Sequence, residues 1–284
     1  MKAKGNVMLL RRVIAGLFAL MVAGAAHSAD LLDTIKSKKE IVIGTEAQFT
    51  PFEYLQDGKI VGYGPDLMRY ILADLPGVTV KQFDLPFQGI LPGLATKRFD
   101  FVVTSVTMTK DRAAKFAFTV PIADATTALV KLKRDNGLTE PAGIAGKTVG
   151  SQAGSAQLKA LQDYAAKLKA DGKPAVTIRE YVSFDEAYAD LAAGRLDAVA
   201  QSLSNLSTLV KTRGDVYAVV DGPIGPKTYF GWVGRKDADS AALVKFFSDG
   251  IARAEKSGEL KALQMKWFGF TMDVPTDHVP APEL

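Results

Sequence analysis

The chain contains no cysteine among its 284 residues. Disulfides, a thiolate nucleophile and cysteine-ligated metal are therefore excluded. Histidine is almost as scarce: there are two, His27 near the N-terminus and His278 in a Pro-rich tail. Ser-His-Asp or Cys-His catalysis and multi-histidine zinc sites need histidine beside other reactive groups, and neither position offers that. After residue 24 no apolar run approaches the length of a membrane span. An excess of one charge is also missing. Of 35 basic residues, Lys2, Lys4, Arg11 and Arg12 fall at the extreme N-terminus, and without them 31 basic residues face 31 acidic ones. The sequence pI of 9.0 belongs to that segment. The remainder has no broad basic field for nucleic acid or an anionic membrane.

The segment itself reads as an export signal. A charged start precedes the apolar stretch Val13 to Gly24, twelve residues long, and Ala26-His27-Ser28 gives a small-x-small cleavage site before Ala29. Residues 1–28 are thus expected to be a signal peptide and the remaining 256 a soluble exported protein, with a cut near Ala25 or Ala29 and a retained membrane anchor as the alternatives. No cysteine at the cut offers a lipid anchor.

Short apolar strands then alternate with helical patterns, the grammar of an α/β fold. Ile41-Val42-Ile43, Val78 to Phe83 and Phe99 to Val103 read as strands. Pro65-Asp66 opens a helix with Leu67, Ile71 and Leu75 on one face, and Ile90 to Ala95 is a short helix. Ala128 to Lys133 is extended and ends in the turn Arg134-Asp135-Asn136-Gly137. The pattern restarts with a strand at Thr148 to Gly150, a helix from Ser155 to Ala170 and a strand from Thr177 to Tyr181. A helix follows whose N-cap is Ser183, with Glu186 completing a capping box and Gly194 ending it. Asp197 to Ala200, Val216 to Val220 and Tyr229 to Val233 are strands. Ser204 to Lys211 is helical, as is Ser240 to Phe268 with a break near Gly258. Gly194-Arg195-Leu196-Asp197 echoes Lys97-Arg98-Phe99-Asp100, each leaving a helix for a buried strand. Two α/β lobes are expected, with the chain crossing near Asp124–Thr127 and returning near Pro226–Phe230.

Thr104-Ser105-Val106-Thr107-Met108-Thr109 follows the third strand, with Arg112 a few residues on. Hydroxyls, backbone N–H groups and a guanidinium leaving the carboxyl end of a strand suit a carboxylate, at the edge where α/β sheets bind ligands. Capping residues and a surface arginine are the plainer reading of that segment alone. Gly150 to Gln157 joins a strand to a helix whose free N–H groups favour an anion, with Ser155 as the natural N-cap. Facing each other, the two edges enclose one small anionic ligand. Phe49 and Phe87 are candidate walls for an apolar stem, with simple packing as the plainer reading; Phe52 belongs to the core, and Glu46 either meets a cation or stands as a solvated loop acid. Ala142 to Thr148 ends in Gly-Lys-Thr, but Pro141 stands where a phosphate loop needs glycine and the segment precedes its strand, so nucleotide hydrolysis is rejected. Asn205-Leu206-Ser207 is a chance sequon.

Gly44-Thr45-Glu46, Pro51-Phe52-Glu53-Tyr54, Gly58-Lys59, Gly62 to Leu67, Phe99 to Arg112, Gly146 to Gly150 and Gly194 to Asp197, in this order, resemble the family 3 solute-binding proteins that supply amino acids to bacterial ABC importers. The resemblance implies a two-lobe periplasmic binding protein type II fold with two crossing hinge strands. Lobe 1 would be 29–124 with 228–284, and lobe 2 would be 125–227. It implies capture of a polar amino acid or related small carboxylate, delivery to an inner-membrane permease, no cofactor, no metal and a monomer. Arg112 matches the arginine that clamps the α-carboxylate. Thr104, Ser105 and Thr107 match the positions around that carboxylate and the amino group. Ser155 and Ala156, with Gln157 following, match the second-lobe contacts. Phe49 and Phe87 match the aromatic pair around the side chain, and Glu46 an acid that meets a side-chain cation. One departure stands out: Ser202 occupies the place of the aspartate that pairs with the α-ammonium. Glu46 or Asp185 supplies that charge, or the ligand has no ordinary α-ammonium. Two other readings remain: a secreted enzyme resembling cyclohexadienyl dehydratases, and a sensor module for a separate receptor chain.

Overall fold

Two parallel-cored sheets share one pattern of strand order in a computed structural model that describes residues 30–284. The expected signal peptide, its cleavage site and His27 lie outside the described residues. Helix α1 (Leu31–Lys38), capped by Asp30, leads into strand β1 (Glu40–Thr45). A small antiparallel sheet follows, made of β2 (Gln48–Phe49), β3 (Glu53–Gln56) and β4 (Lys59–Val61). Then come α2 (Tyr63–Leu72), β5 (Thr79–Asp84), α3 (Phe87–Ala95), β6 (Phe101–Thr107), α4 (Lys110–Lys115), β7 (Phe116–Phe118) and β8 (Ala123–Asp124). The second series comprises β9 (Thr127–Leu132), β10 (Thr148–Gln152), α5 (Ala156–Ala170), β11 (Thr177–Tyr181), α6 (Phe184–Ala192), β12 (Ala198–Ser202), α7 (Leu203–Arg213) and β13 (Tyr217–Val219). The chain closes with β14 (Tyr229–Arg235), α8 (Ala238–Ser257) and α9 (Glu259–Trp267).

The first sheet runs β5-β1-β6-β14-β7, with β8 also on β14, and the second runs β11-β10-β12-β9-β13. In each, one strand is flanked by two parallel partners and the next strand in the sheet is antiparallel. The sequence echo has a physical basis. Asp100 accepts from Val42 N at 2.8 Å, and Asp197 accepts from Thr148 N at 2.8 Å, so each aspartate ties its strand to the central neighbour. The preceding apolar residues, Phe99 and Leu196, press on glycines of that neighbour. A Cβ on Gly44 would lie 2.5 Å from the Phe99 ring, and one on Gly150 2.6 Å from Leu196.

The core explains the elements. Phe52, fully buried as expected, stacks edge-on with Tyr63, Phe230 and Phe268 at 4.8–5.9 Å. Phe101 lies parallel to Phe247 at 4.3 Å, fastening α8 to the first sheet. The break in the last helical pattern is Gly258, whose φ of 82° ends α8 and starts α9. Ser183 caps α6 as expected, but Glu186 receives the N–H of Val182 and not that of Ser183, so the capping box is shifted by one residue. Between the sheets, Tyr229 and Phe230 pair with Asp124 and Ala123, and Ala125 N donates to Thr228 O at 2.8 Å. Among the described residues no helix is long and apolar enough to cross a membrane.

Candidate functional site

The carboxyl ends of β1, β6, β10 and β12 deliver Glu46, Thr104–Thr107, Gln152 and Ser202. These are the crevice positions of parallel-cored sheets. Strand β6 is longer than the sequence pattern indicates: it continues through Thr104, Ser105 and Thr107, all buried. The hydroxyls of Thr104 and Ser105 therefore face a strand environment, and their main partner is Glu53, a residue the sequence reading left out of the site. Glu53 is fully buried and accepts from Ser105 N and Oγ at 3.3 Å each, and from Thr104 Oγ1 at 3.5 Å. Burial pushes its carboxyl well above the ordinary value, against the pull of those bonds. Gly64 makes room for it: a Cβ there would fall 2.2 Å from Glu53 Oε1.

Glu46 is also buried. Its N–H donates to Thr104 Oγ1 at 3.2 Å, and its carboxyl receives the side-chain amide of Gln152 from the second sheet. Gln152 Nε2 additionally donates to Val182 O at 3.1 Å. Burial raises the Glu46 carboxyl to about 8, opposed by the Gln152 bond and aided by the charges of Asp84 and Asp185. At neutral pH Glu46 mostly keeps its proton.

Arg112 sits in the first turn of α4, where Thr109 caps the helix. Its guanidinium carbon lies 5.3 Å from the centroid of the Phe87 ring. Nη1 donates to Thr107 O at 2.9 Å and Nη2 donates to Gly154 O at 3.0 Å, so Arg112 bridges from β6 to the turn before α5. Burial lowers its pKa to about 10, which leaves it charged at neutral pH. Across that bridge Ser155 caps α5, accepting from Leu158 N at 3.0 Å. Ala156 and Gln157 follow, both buried, and the Nε2 of Gln157 has no hydrogen-bond partner among the described residues. Arg112, Gly154, Ser155 and Ala156 border one depression.

The two aromatic candidates take different surroundings. Phe87 lies under Arg112, whereas Phe49 packs on Phe52, Phe184 and Phe230 with centroids 5.6–5.8 Å apart. Ser202 is the N-cap of α7. Its hydroxyl is shared among Asn205 N, the Asn205 side-chain oxygen and Ser204 Oγ. Asn205 in turn donates through Nδ2 to Thr50 O at 2.8 Å, which ties α7 to the segment after β2. Gln152 lies in the Gly150 to Gln157 segment that the sequence singles out, whereas Glu53 and Asn205 are neighbours of the candidate positions that the sequence does not mark as such. The one available signal was the Gly62-Tyr63-Gly64 spacing, since two glycines so close mark a backbone approached by something bulky.

The family model of bacterial extracellular solute-binding proteins, family 3, matches residues 41–270. The chain is 31% identical over 257 residues to the L-arginine-binding protein of Pseudomonas aeruginosa, covering 88% of this chain and 96% of that protein. It is 29% identical over 266 residues to the L-cystine-binding protein of Escherichia coli, covering 91% and 96%. Among solved structures, an ancestral arginine-binding protein bound to arginine superposes with a TM-score of 0.72 at 28% identity, covering 81% of this chain and 99% of that one. A family match across both sheets, on a fold whose strand ends converge as described, means that the chain belongs to the family 3 bacterial extracellular solute-binding proteins.

Proposed function

We propose that this chain is the periplasmic ligand-capturing component of an ABC importer, taking an amino acid or similar small carboxylate between its two sheets and presenting it to a permease. Lobe 1 comprises 29–124 and 228–284, lobe 2 comprises 125–227, and the crossings at Asp124–Thr127 and Pro226–Phe230 form the hinge. The observation that carries the reading is Arg112. A charged guanidinium joins β6 to the turn before α5 and borders one depression with Gly154, Ser155 and Ala156 at the start of that helix. An arginine has five N–H donors, and two of these are held by backbone carbonyls. The remaining donors and the free N–H groups at the start of α5 favour a carboxylate. A ligand that touches both lobes binds the closed form better than the open one, and that difference drives closure.

The test is calorimetry with a panel of amino acids and small carboxylates, on the wild type and on Arg112→Ala. The variant should bind more weakly by roughly 2–5 kcal/mol, the cost of stripping a buried charge of its partner. Equal affinity for both proteins would overturn the carboxylate assignment.

A further inference from the structure

Helix α4 carries Arg112 on a slender support. It is six residues long and none of them is fully buried. A helix of that length does not persist in water without help from its surroundings. Thr109 caps it, and Lys236 Nζ donates to Ala113 O at 2.8 Å. Arg112 Nη2 adds a bond to Gly154 O, but that one lasts only while lobe 2 stands close.

The first turn of α4 has a further tie, to a segment 173 residues away in sequence. Lys110 N donates to the backbone oxygen of Leu284 at 2.9 Å, and Lys110 Nζ to that of Glu283 at 3.1 Å. The segment that brings these acceptors is itself anchored. Met272 N donates to Gln264 Oε1 at 2.8 Å, and Met272 and Val274 are buried in the main apolar core. Farther on, Pro280 to Glu283 border one space with Met108 and Lys227–Tyr229. Pro280, Pro282 and Leu284 are half-buried, whereas Ala281 and Glu283 are exposed. That alternation marks an extended chain lying along a surface. Its two prolines leave less backbone entropy to lose on ordering. Leu284 ends up at the rim of the depression that Arg112, Ser155 and Ala156 share.

We propose that residues 280–284 are a brace that positions Arg112: by holding Lys110 from outside, they fix the first turn of α4 and keep the guanidinium aimed at the ligand carboxylate while lobe 2 is away. Lys110 is the point of attachment and a positioning residue. The brace acts through α4 and not by contact with the ligand. The proposal rests on the reading that Arg112 receives that carboxylate.

Two variants remove the brace: a chain lacking residues 280–284, and Lys110→Pro, which deletes both donors. Proline suits the first position of a helix. Thr109, with φ −120° and ψ 158°, already has the extended conformation that precedes proline. Calorimetry compares L-arginine with L-argininamide, in which a neutral amide replaces the carboxylate, each variant being made with and without Arg112→Ala. Loss of the brace is expected to weaken L-arginine at least fivefold. It should change L-argininamide, and either probe in the Arg112→Ala background, less than twofold, because the two changes act on one contact. Amide hydrogen exchange in α4 should quicken in both variants while α5 exchanges as in the wild type. Equal weakening of both probes, effects that add to those of Arg112→Ala, or unchanged exchange in α4 would overturn the brace. If Arg112→Ala binds L-arginine as the wild type does, the carboxylate reading fails. In that case, or where binding is too weak to measure, exchange alone decides: faster in α4 supports the brace, and unchanged overturns it.

Discussion

The side-chain amide of Gln152, at the end of β10, donates to the carboxyl of Glu46, at the end of β1, and so joins one sheet to the other. Both groups are buried, which makes the bond costly to lose. Gln152→Leu is expected to lower unfolding free energy by roughly 1–3 kcal/mol, because Glu46 and the Val182 carbonyl lose their donor. It should also enlarge the radius of gyration of the ligand-free protein in small-angle scattering, by loosening the contact between the lobes. An unchanged scattering profile would mean that this bond does not hold the lobes together.

Glu46 gives stability a definite dependence on pH. Its folded value of about 8 lies above the ordinary 4.5, so between those values the folded chain binds more protons than the unfolded one. Stability from this group is greatest below pH 4.5 and declines until about pH 8, by on the order of a few kcal/mol. Glu53, raised by burial as well, acts in the same direction. Glu46→Gln should flatten the fall of the melting temperature between pH 5 and 8 without abolishing it. A variant with the wild-type slope would locate the titration elsewhere.

Gly64 and Glu53 share one volume. Gly64→Ala sets a methyl group 2.2 Å from Glu53 Oε1, so the buried carboxyl must shift away from its bonds to Ser105 and Thr104. The expected cost is roughly 1–3 kcal/mol in urea denaturation. Because Glu53 holds Ser105 and Thr104 from beneath, ligand affinity should fall together with stability. Loss of stability with affinity intact would mean that the Glu53 network supports the fold and leaves the cleft undisturbed.

Ser202 tests what a single carboxylate does at the second sheet's edge. Aspartate is as good an N-cap as serine, so Ser202→Asp should fold with its α7 start preserved. The added charge is expected to raise affinity for ordinary α-amino acids at least tenfold in calorimetry, about 1.4 kcal/mol. A variant that folds as the wild type does but binds no better would show that the resemblance does not carry over at this position.

The sequence disclosed the fold where local chemistry is self-sufficient. Ser155 and Ser183 cap their helices through hydroxyls three residues from the N–H groups they receive, and Gly258 ends a helix by its own positive φ. Such signals need no knowledge of the rest of the chain. Arg112 was legible for a similar reason, standing one turn beyond a strand end. Glu46 is legible too, just past the end of β1, but Glu53 is not. Glu53 looks like any polar residue on a short strand, and only the return of β6 over it makes it a buried carboxyl. The sheet of β2, β3 and β4 escaped for want of length, although Asp57-Gly58 between β3 and β4 is a recognisable tight turn. Thr104 to Thr107 was read as the start of a loop because hydroxyl residues favour turns, whereas pairing with β14 keeps them extended. In each case the deciding partner lies far away in sequence.

That pairing has a consequence for how the molecule is made. Strand β14 sits inside the first sheet, between β6 and β7, yet it is synthesised after every strand of the second sheet. During translation the later-emerging unit can assemble as soon as β13 leaves the ribosome. The earlier one must wait, with the side of β6 that β14 will cover left unpaired. The N-terminal half of the chain is therefore the last to be completed. In the interval its exposed strand edge is the place where a chaperone is most needed.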